Sequence, residues 1–270
     1  MNAPLSALGT RLTGKVIFLS ASVPALNRQE RFRRIEGAHF EIEQAVISVA
    51  RAVFSEGGRL VFGGHPAISP LVAMVAGEYR EPRLVEAEEV RKPSPIQVFQ
   101  SRAFQGFLPE ETLMMYQLGY ATITWVEAVA NERFDPMQHY PEGPCPTSLR
   151  EMRVAMIKET RPDAMVCIGG MNGVEEELAL FGKLRPGTPV YVLGRTGGAS
   201  ALIAEQYRGK VRVIDAEVLD RVARLRREHP SHTNKEDTPR EGPGPPVVPY
   251  PLIAQTIVDE LAQEDDARVR

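Results

Sequence analysis

Ala164-Met165-Val166-Cys167-Ile168-Gly169-Gly170-Met171-Asn172-Gly173-Val174-Glu175-Glu176-Glu177-Leu178 is the stretch on which the reading of this chain turns. Its first five residues form an apolar run with the length and composition of a strand buried on both faces. Two glycines end the run, and from Val174 the pattern becomes helical, with three carboxylates in the first turn. A strand, a glycine turn and a helix in that order are how an α/β protein builds a site for a phosphorylated ligand. Glycine lets backbone amides approach an anion closely, and a helix N-terminus attracts negative charge. A nucleotide-like small molecule is the expected partner.

The same rhythm continues on both sides. Val16 to Leu19 reads as a buried strand, and from Ala38 the residues Ile42, Ala45, Val46, Val49, Val53 and Phe54 recur at helical spacing until Gly57-Gly58. Leu60 to Phe62 is the next strand, and Ser69-Pro70 offers an N-cap and a first-turn proline. Strands follow at Ile96 to Phe99 and Ala121 to Trp125, with a helix after Pro109 between them. A helix then starts at Ser148, where Ser148-Leu149-Arg150-Glu151 has the form of a capping box. Beyond the opening stretch come strands at Val190 to Leu193 and Val211 to Ile214, with helices near Ala199 and up to about Arg227. Short apolar strands alternating with helices predict an α/β fold with a doubly wound, mainly parallel sheet covered on both faces.

A length of 270 residues suits one large α/β domain, and 43% apolar with 25% charged residues is ordinary for a soluble globular protein. A net charge of -3 leaves no strongly basic face, so nucleic acid is not an expected partner. Cys145 and Cys167 imply no disulfide framework. The absence of a signal sequence and of any apolar run of membrane-spanning length predicts a cytoplasmic protein with no membrane association. The chain divides into a loose N-terminus over 1–14, the Rossmann-like domain over 15–228, a Pro/Gly-rich linker or arm over 229–249, and a C-terminal helix and tail over 250–270. Leu252, Ile253, Ile257 and Leu261 share one face of that helix and need cover, from the main domain or from another subunit.

Parallel sheets bind ligands at the carboxyl ends of their strands. Four ends here carry small or hydrogen-bonding groups: Ser20-Ala21-Ser22, Gly63-Gly64-His65, Gly169-Gly170, and Thr196-Gly197-Gly198-Ala199-Ser200. Neither a Walker loop nor a GxGxxG fingerprint occurs, so neither a P-loop NTPase nor a standard dinucleotide dehydrogenase is supported. On the helix from Ser148, Leu149, Met152 and Met156 form the apolar stripe and Arg153 lies beside it, either drawn toward the sheet edge or paired with Glu151 or Glu159. Arg102 follows a strand and either reaches a phosphate or stays solvated. His65 either meets a ligand or caps its own turn. Glu175, Glu176 and Glu177 complement the helix dipole, and at least one of them does only that. Trp125 reads as core at a strand end and Cys167 as an inert buried thiol. His229 and His232 lie in a polar segment without a ligand cluster, so no metal site is predicted, and no cofactor is expected.

With these residues in view, the chain resembles the SLOG superfamily. This Rossmann-like group joins the LOG phosphoribohydrolases to DprA-type and nucleotide-sensing domains. The likeness rests on Val16 to Ser22, Arg59 to Leu71 and Met152 to Leu178. In the last segment the enzymes pair an arginine on one helix with a PGGxGTxxE loop. Counting without gaps, the resemblance places Arg153 on the catalytic arginine and Glu176 on the catalytic glutamate. Ile168 stands in place of the loop proline, and Asn172-Gly173 in place of Gly-Thr. The glycine-rich turn from Thr196 is closer to the sensor branches, which recognise NAD-derived or related nucleotides.

The resemblance therefore implies a sensor of an ADP-ribose-like, NAD-derived or cyclic nucleotide, acting through a separate effector protein or through a homodimer or higher homo-oligomer. The alternative it implies is an N-glycosidase cleaving base from ribose phosphate with Arg153 and Glu176. A third reading, a scaffold acting through the tail, leaves the glycine turns unexplained. The expected ligand-binding set is Ser20, Ser22, Gly63, Gly64, His65, Arg102, Gly169, Gly170, Met171, Asn172, Gly173, Glu175, Thr196, Gly197 and Gly198.

Overall fold

Alternate residues of the central strands face two separate apolar layers, and that alternation explains why the strands read as unbroken apolar runs. The computed structural model describes residues 10–24, 30–32, 38–79, 94–129, 132–140, 143–228 and 248–269. Within these, seven strands form one sheet: β1 (Val16–Ser22), β2 (Arg59–Phe62), β3 (Ile96–Ser101), β4 (Ala121–Val126), β5 (Ala164–Gly169), β6 (Val190–Leu193) and β7 (Arg212–Val213). Their order is β4-β3-β2-β1-β5-β6-β7, and every pairing is parallel. The expected doubly wound, Rossmann-like sheet is present, and it is parallel throughout the described residues.

One layer packs Ile17, Leu19, Leu60, Phe62, Val166 and Ile168 against α1 (Ala38–Ser55), α2 (Ser69–Tyr79), α3 (Glu110–Gln117), α7 (Ile214–Glu228) and α8 (Tyr250–Val269). The other packs Val16, Phe18, Val61, Phe99, Met165 and Cys167 against α4 (Pro146–Thr160), α5 (Asn172–Leu184) and α6 (Gly198–Gln206). Both layers exclude water from branched and aromatic side chains, the main favourable term in the fold. Burial pushes the Cys167 thiol far up, as an inert core cysteine requires.

Two helix caps read from the sequence change in the structure. The capping box at Ser148 does not form. The helix begins two residues earlier, after Cys145 in a left-handed conformation, and Ser148 Oγ instead accepts the Val129 amide at 3.0 Å. The cap comes from a distant loop: Glu132 accepts the Thr147 amide at 3.1 Å and the Ser148 amide at 2.6 Å. Burial alone would raise the Glu132 pKa, but the amides of Ser148 and Thr147 hold it below its ordinary value. Likewise Ser69 Oγ accepts from Thr112 Oγ1 at 3.1 Å, joining α2 to α3.

The N-terminal segment expected to be loose is anchored over its described part. Leu12 is fully buried, and Arg11 bridges Glu56 at 2.6 Å and Asp259 at 2.7 Å. That Asp259 lies on α8, which folds back on α1 and α7 of its own chain. Tyr250, Ile253, Ala254, Ile257, Val258 and Leu261 are buried there, while Leu252, expected on the covered face, is 48% exposed. The helix is thus covered without a second subunit, so its apolar face gives no argument for an oligomer. His229, His232 and most of the Pro/Gly-rich segment lie outside the described residues. Among those described, no helix is long and apolar enough to cross a membrane, and no three metal-ligating side chains gather.

Glu132→Ala removes the remote cap of α4 and is expected to lower the unfolding free energy by about 1 kcal/mol, the usual cost of losing an N-cap. Urea denaturation reads this directly; an unchanged midpoint would mean that α4 needs no cap from that loop.

Candidate functional site

From β1 the chain winds outward one way through β2 to β4, and from β5 the other way to β7, so the two directions part between β1 and β5. At such a switch point the connections leave on opposite faces and a crevice opens beyond the strand ends. Register places Ser20 beside Cys167 and Ser22 beside Gly169. Two of the four strand ends singled out in the sequence therefore stand side by side at the switch point.

The third end, at Thr196, is sewn to them through backbone. The Gly169 amide donates to Thr196 Oγ1 at 2.7 Å, and that hydroxyl donates to the Leu193 carbonyl at 2.5 Å. The Gly170 amide donates to the Ser22 carbonyl at 2.8 Å, and the Ala199 amide to the Gly170 carbonyl at 2.9 Å. The Gly169 and Gly170 amides, expected to face an anion, thus bond within the protein. Gly198, at φ +57°, is needed because a Cβ there would press into the Gly170 carbonyl oxygen. Thr196, Gly197 and Gly198 accordingly hold the rim in shape, with the buried Thr196 hydroxyl turned inward. The donors left beyond the strand ends are the Asn172 and Gly173 amides of α5, whose N-cap residue Met171 makes no side-chain cap and accepts the Val174 amide on its carbonyl at 2.9 Å.

Around that helix start stands a network of cations and carboxylates. Arg153 on α4 donates through Nη1 to Glu176 at 2.5 Å and through Nε to Glu177 at 3.2 Å. Glu177 also accepts from Ser20 Oγ at 2.5 Å, so one carboxylate ties α4, α5 and β1 together. Arg150 donates to Glu176 at 3.1 Å. From a 3-10 turn at Glu30–Phe32, Arg31 donates to Asn172 Oδ1 at 2.6 Å and to both Glu175 oxygens at 3.2 and 2.7 Å. A Cβ at Gly173 would lie 3.0 Å from Arg153 Nη2, so the bare glycine leaves room for the guanidinium over the helix start.

The carboxylates differ sharply in setting. The Glu177 side chain is 13% exposed, as is that of Arg153, whereas Glu176 is 29% exposed. Burial pushes the Glu177 carboxyl above its ordinary pKa, opposed by the Arg153 charge and the Ser20 hydroxyl. The charge-bearing core of the site is therefore Arg153, Glu177 and Ser20, with Glu176 on its rim. The family resemblance puts Glu176 first. The signal for Glu177 was present in the pattern Val174, Glu177, Leu178, Phe181, which puts an acid on the buried face of α5 at helical spacing. Arg31 carried no comparable signal, because its neighbourhood shows no periodicity.

The structure brings together Ser20, Ser22, Arg153, Glu175, Glu176 and Gly169 to Gly173. Gly63, Gly64 and His65 end β2, next to β1. There His65 Nδ1 accepts the Ala67 amide at 3.2 Å, and its carbonyl accepts the amides of Ile68 and Ser69, which starts α2. Arg102 is not brought to Arg153. It stands two strands from β1, pairs with Glu127 at 2.8 Å and lies over the half-buried Trp125 ring at 5.8 Å.

Residues 34–228 match the model of the SLOG cluster3 family. A solved structure, the X-ray structure of TM1055, a Northeast Structural Genomics Consortium target, aligns with 71% of this chain and 81% of its own, at 15% identity and a TM-score of 0.42. No curated protein matches the sequence.

Two outcomes are expected from this geometry. Gly198→Ala should cost about 1–3 kcal/mol of stability, because a left-handed backbone and a carbonyl contact both oppose the new methyl. A chemical-denaturation midpoint equal to the wild type would sink the close-approach argument. The raised Glu177 pKa stabilises the fold below the ordinary carboxylate range, and this contribution fades as pH rises through the folded-state value. Glu177→Gln should therefore gain stability relative to the wild type as pH climbs above that range, and parallel pH-stability curves would contradict it.

Proposed function

This chain belongs to the SLOG cluster3 family, and from that premise we propose that it binds a nucleotide or nucleotide derivative at the β1/β5 switch point and acts as a sensor of it. The observation that carries the reading is the Arg153 guanidinium, held against the uncapped start of α5 by Glu176 and Glu177. A guanidinium offers two parallel donors to a phosphate, and the first-turn amides and dipole of α5 add to the same anion field. Glu176 and Ser22, at the mouth, suit ribose hydroxyls.

Sensing is favoured over turnover because the glycine amides at the β5 end are bonded within the rim and cannot follow charge developing in a reaction. A separate effector protein or self-association then carries the signal onward. A second reading, N-glycosidic cleavage, draws on one observation: burial raises the Glu177 carboxyl toward the protonated form. A protonated carboxyl could donate to the departing base nitrogen while Glu176 took the proton from a water attacking the anomeric carbon.

Titration calorimetry with AMP, ADP and ADP-ribose tests the first reading. At least one should bind, and Arg153→Ala should weaken it roughly 10- to 100-fold, the effect of losing a charge-assisted hydrogen bond. No binding by any of the three in the wild type would overturn the proposal. Release of free base from the same nucleotides, followed by chromatography and abolished in Glu177→Gln, would move the protein to the second reading.

A further inference from the structure

Arg31 stands outside the family motif, and the reading above leaves it without a role. It arrives from the loop beyond β1, on the α6 side of α5, whereas Arg153 arrives from α4 on the other side. Their acidic partners, Glu175 and Glu176, are consecutive residues, and successive side chains of a helix diverge by about 100°. The two guanidiniums thus flank Asn172 and Gly173, the first two residues of α5, from separate faces.

They are also held with different firmness. Arg153 is 13% exposed and tied to the buried Glu177, so moving it would strand a carboxylate away from water. The Arg31 side chain is 49% exposed and pairs with the partly exposed Glu175, and such solvent-facing ion pairs contribute little. Arg31, which also donates to Asn172 and lies over the Phe32 ring, is the more exposed of the two guanidiniums and the more open to an added anion, while Arg153 keeps its place.

We infer that Arg31 reads a second phosphate, so that the site selects nucleotides carrying a diphosphate over those carrying a monophosphate. The inference rests on nucleotide binding at this site. A first phosphate lies against Arg153 and the α5 amides, and the second, bridged to it, draws Arg31 from Glu175 through two parallel hydrogen bonds. Arg31, Arg150 and Arg153 meet at one helix start, each paired with a carboxylate of α5, and the dipole adds positive potential there.

The full-length protein is titrated with AMP, ADP and ADP-ribose in a calorimeter, as wild type, Arg31→Ala and Glu175→Gln. The wild type should bind ADP and ADP-ribose at least 10-fold more tightly than AMP. Arg31→Ala should bring both diphosphates to the AMP level and leave AMP within about 2-fold, since a lost charged hydrogen bond is worth about a factor of ten. Glu175→Gln, which frees Arg31 of its competing carboxylate, should tighten the diphosphates and leave AMP unchanged. Equal loss for AMP and ADP in Arg31→Ala, or no loss for either, overturns the role of Arg31 while nucleotide binding stands. Absence of binding by all three nucleotides in the wild type overturns both.

Discussion

The bond on which the site depends is the bridge from Arg153 through Glu177 to Ser20. It joins one helix entering the β5 half of the sheet, the helix leaving it, and the strand on the other side of the switch point. A carboxylate this deeply placed is tolerable only with a cation and a hydroxyl on it, because the cost of taking a charge out of water is met by near contacts alone. Ser20, Arg153 and Glu177 therefore constrain one another. With those positions set, the first turn of α5 has one direction to face, and Gly173 supplies the space over which the guanidinium lies.

The strand ends carry a second constraint, made of backbone. Amides of Gly169, Gly170 and Ala199 close a set of bonds between β1, β5 and the turn before α6. Glycines that in isolation suggest a phosphate cradle act here as points where two chains pass at van der Waals distance. A rim stitched in this way is constrained by its own backbone, and a ligand of the kind proposed would lose little ordering entropy on meeting it.

Charge is distributed over the site in a graded manner. The inner pair is partly desolvated, and the outer pairs, Arg150 with Glu176 and Arg31 with Glu175, are open to water. Coulombic attraction is strong where water is excluded and weak where it is not. The inner pair thus serves as fixed architecture, and the outer arginines are the more exposed members of the network. Neighbouring carboxylates hold the arginines by hydrogen bonds near the helix start.

Much of the framework was legible in the chain itself. Apolar runs of strand length, broken by glycine and separated by helical periods, carry the parallel sheet, because strands covered on both faces have no polar side to show. Arg153 and the acidic turn were legible for the same reason, one beside an apolar stripe and the other after a strand-ending glycine pair. Which glutamate turns inward was also written there, in the spacing of Glu177 with Val174, Leu178 and Phe181. Only the tertiary structure decided the rest. The cap of α4 by Glu132, the occupation of the glycine amides by Thr196 and Ser22, the cover of α8 by α1, and the approach of Arg31 to Glu175 each join residues far apart in sequence. A hydrogen bond depends on where two atoms are placed by the packing of whole elements, and no local pattern of residue types records that placement.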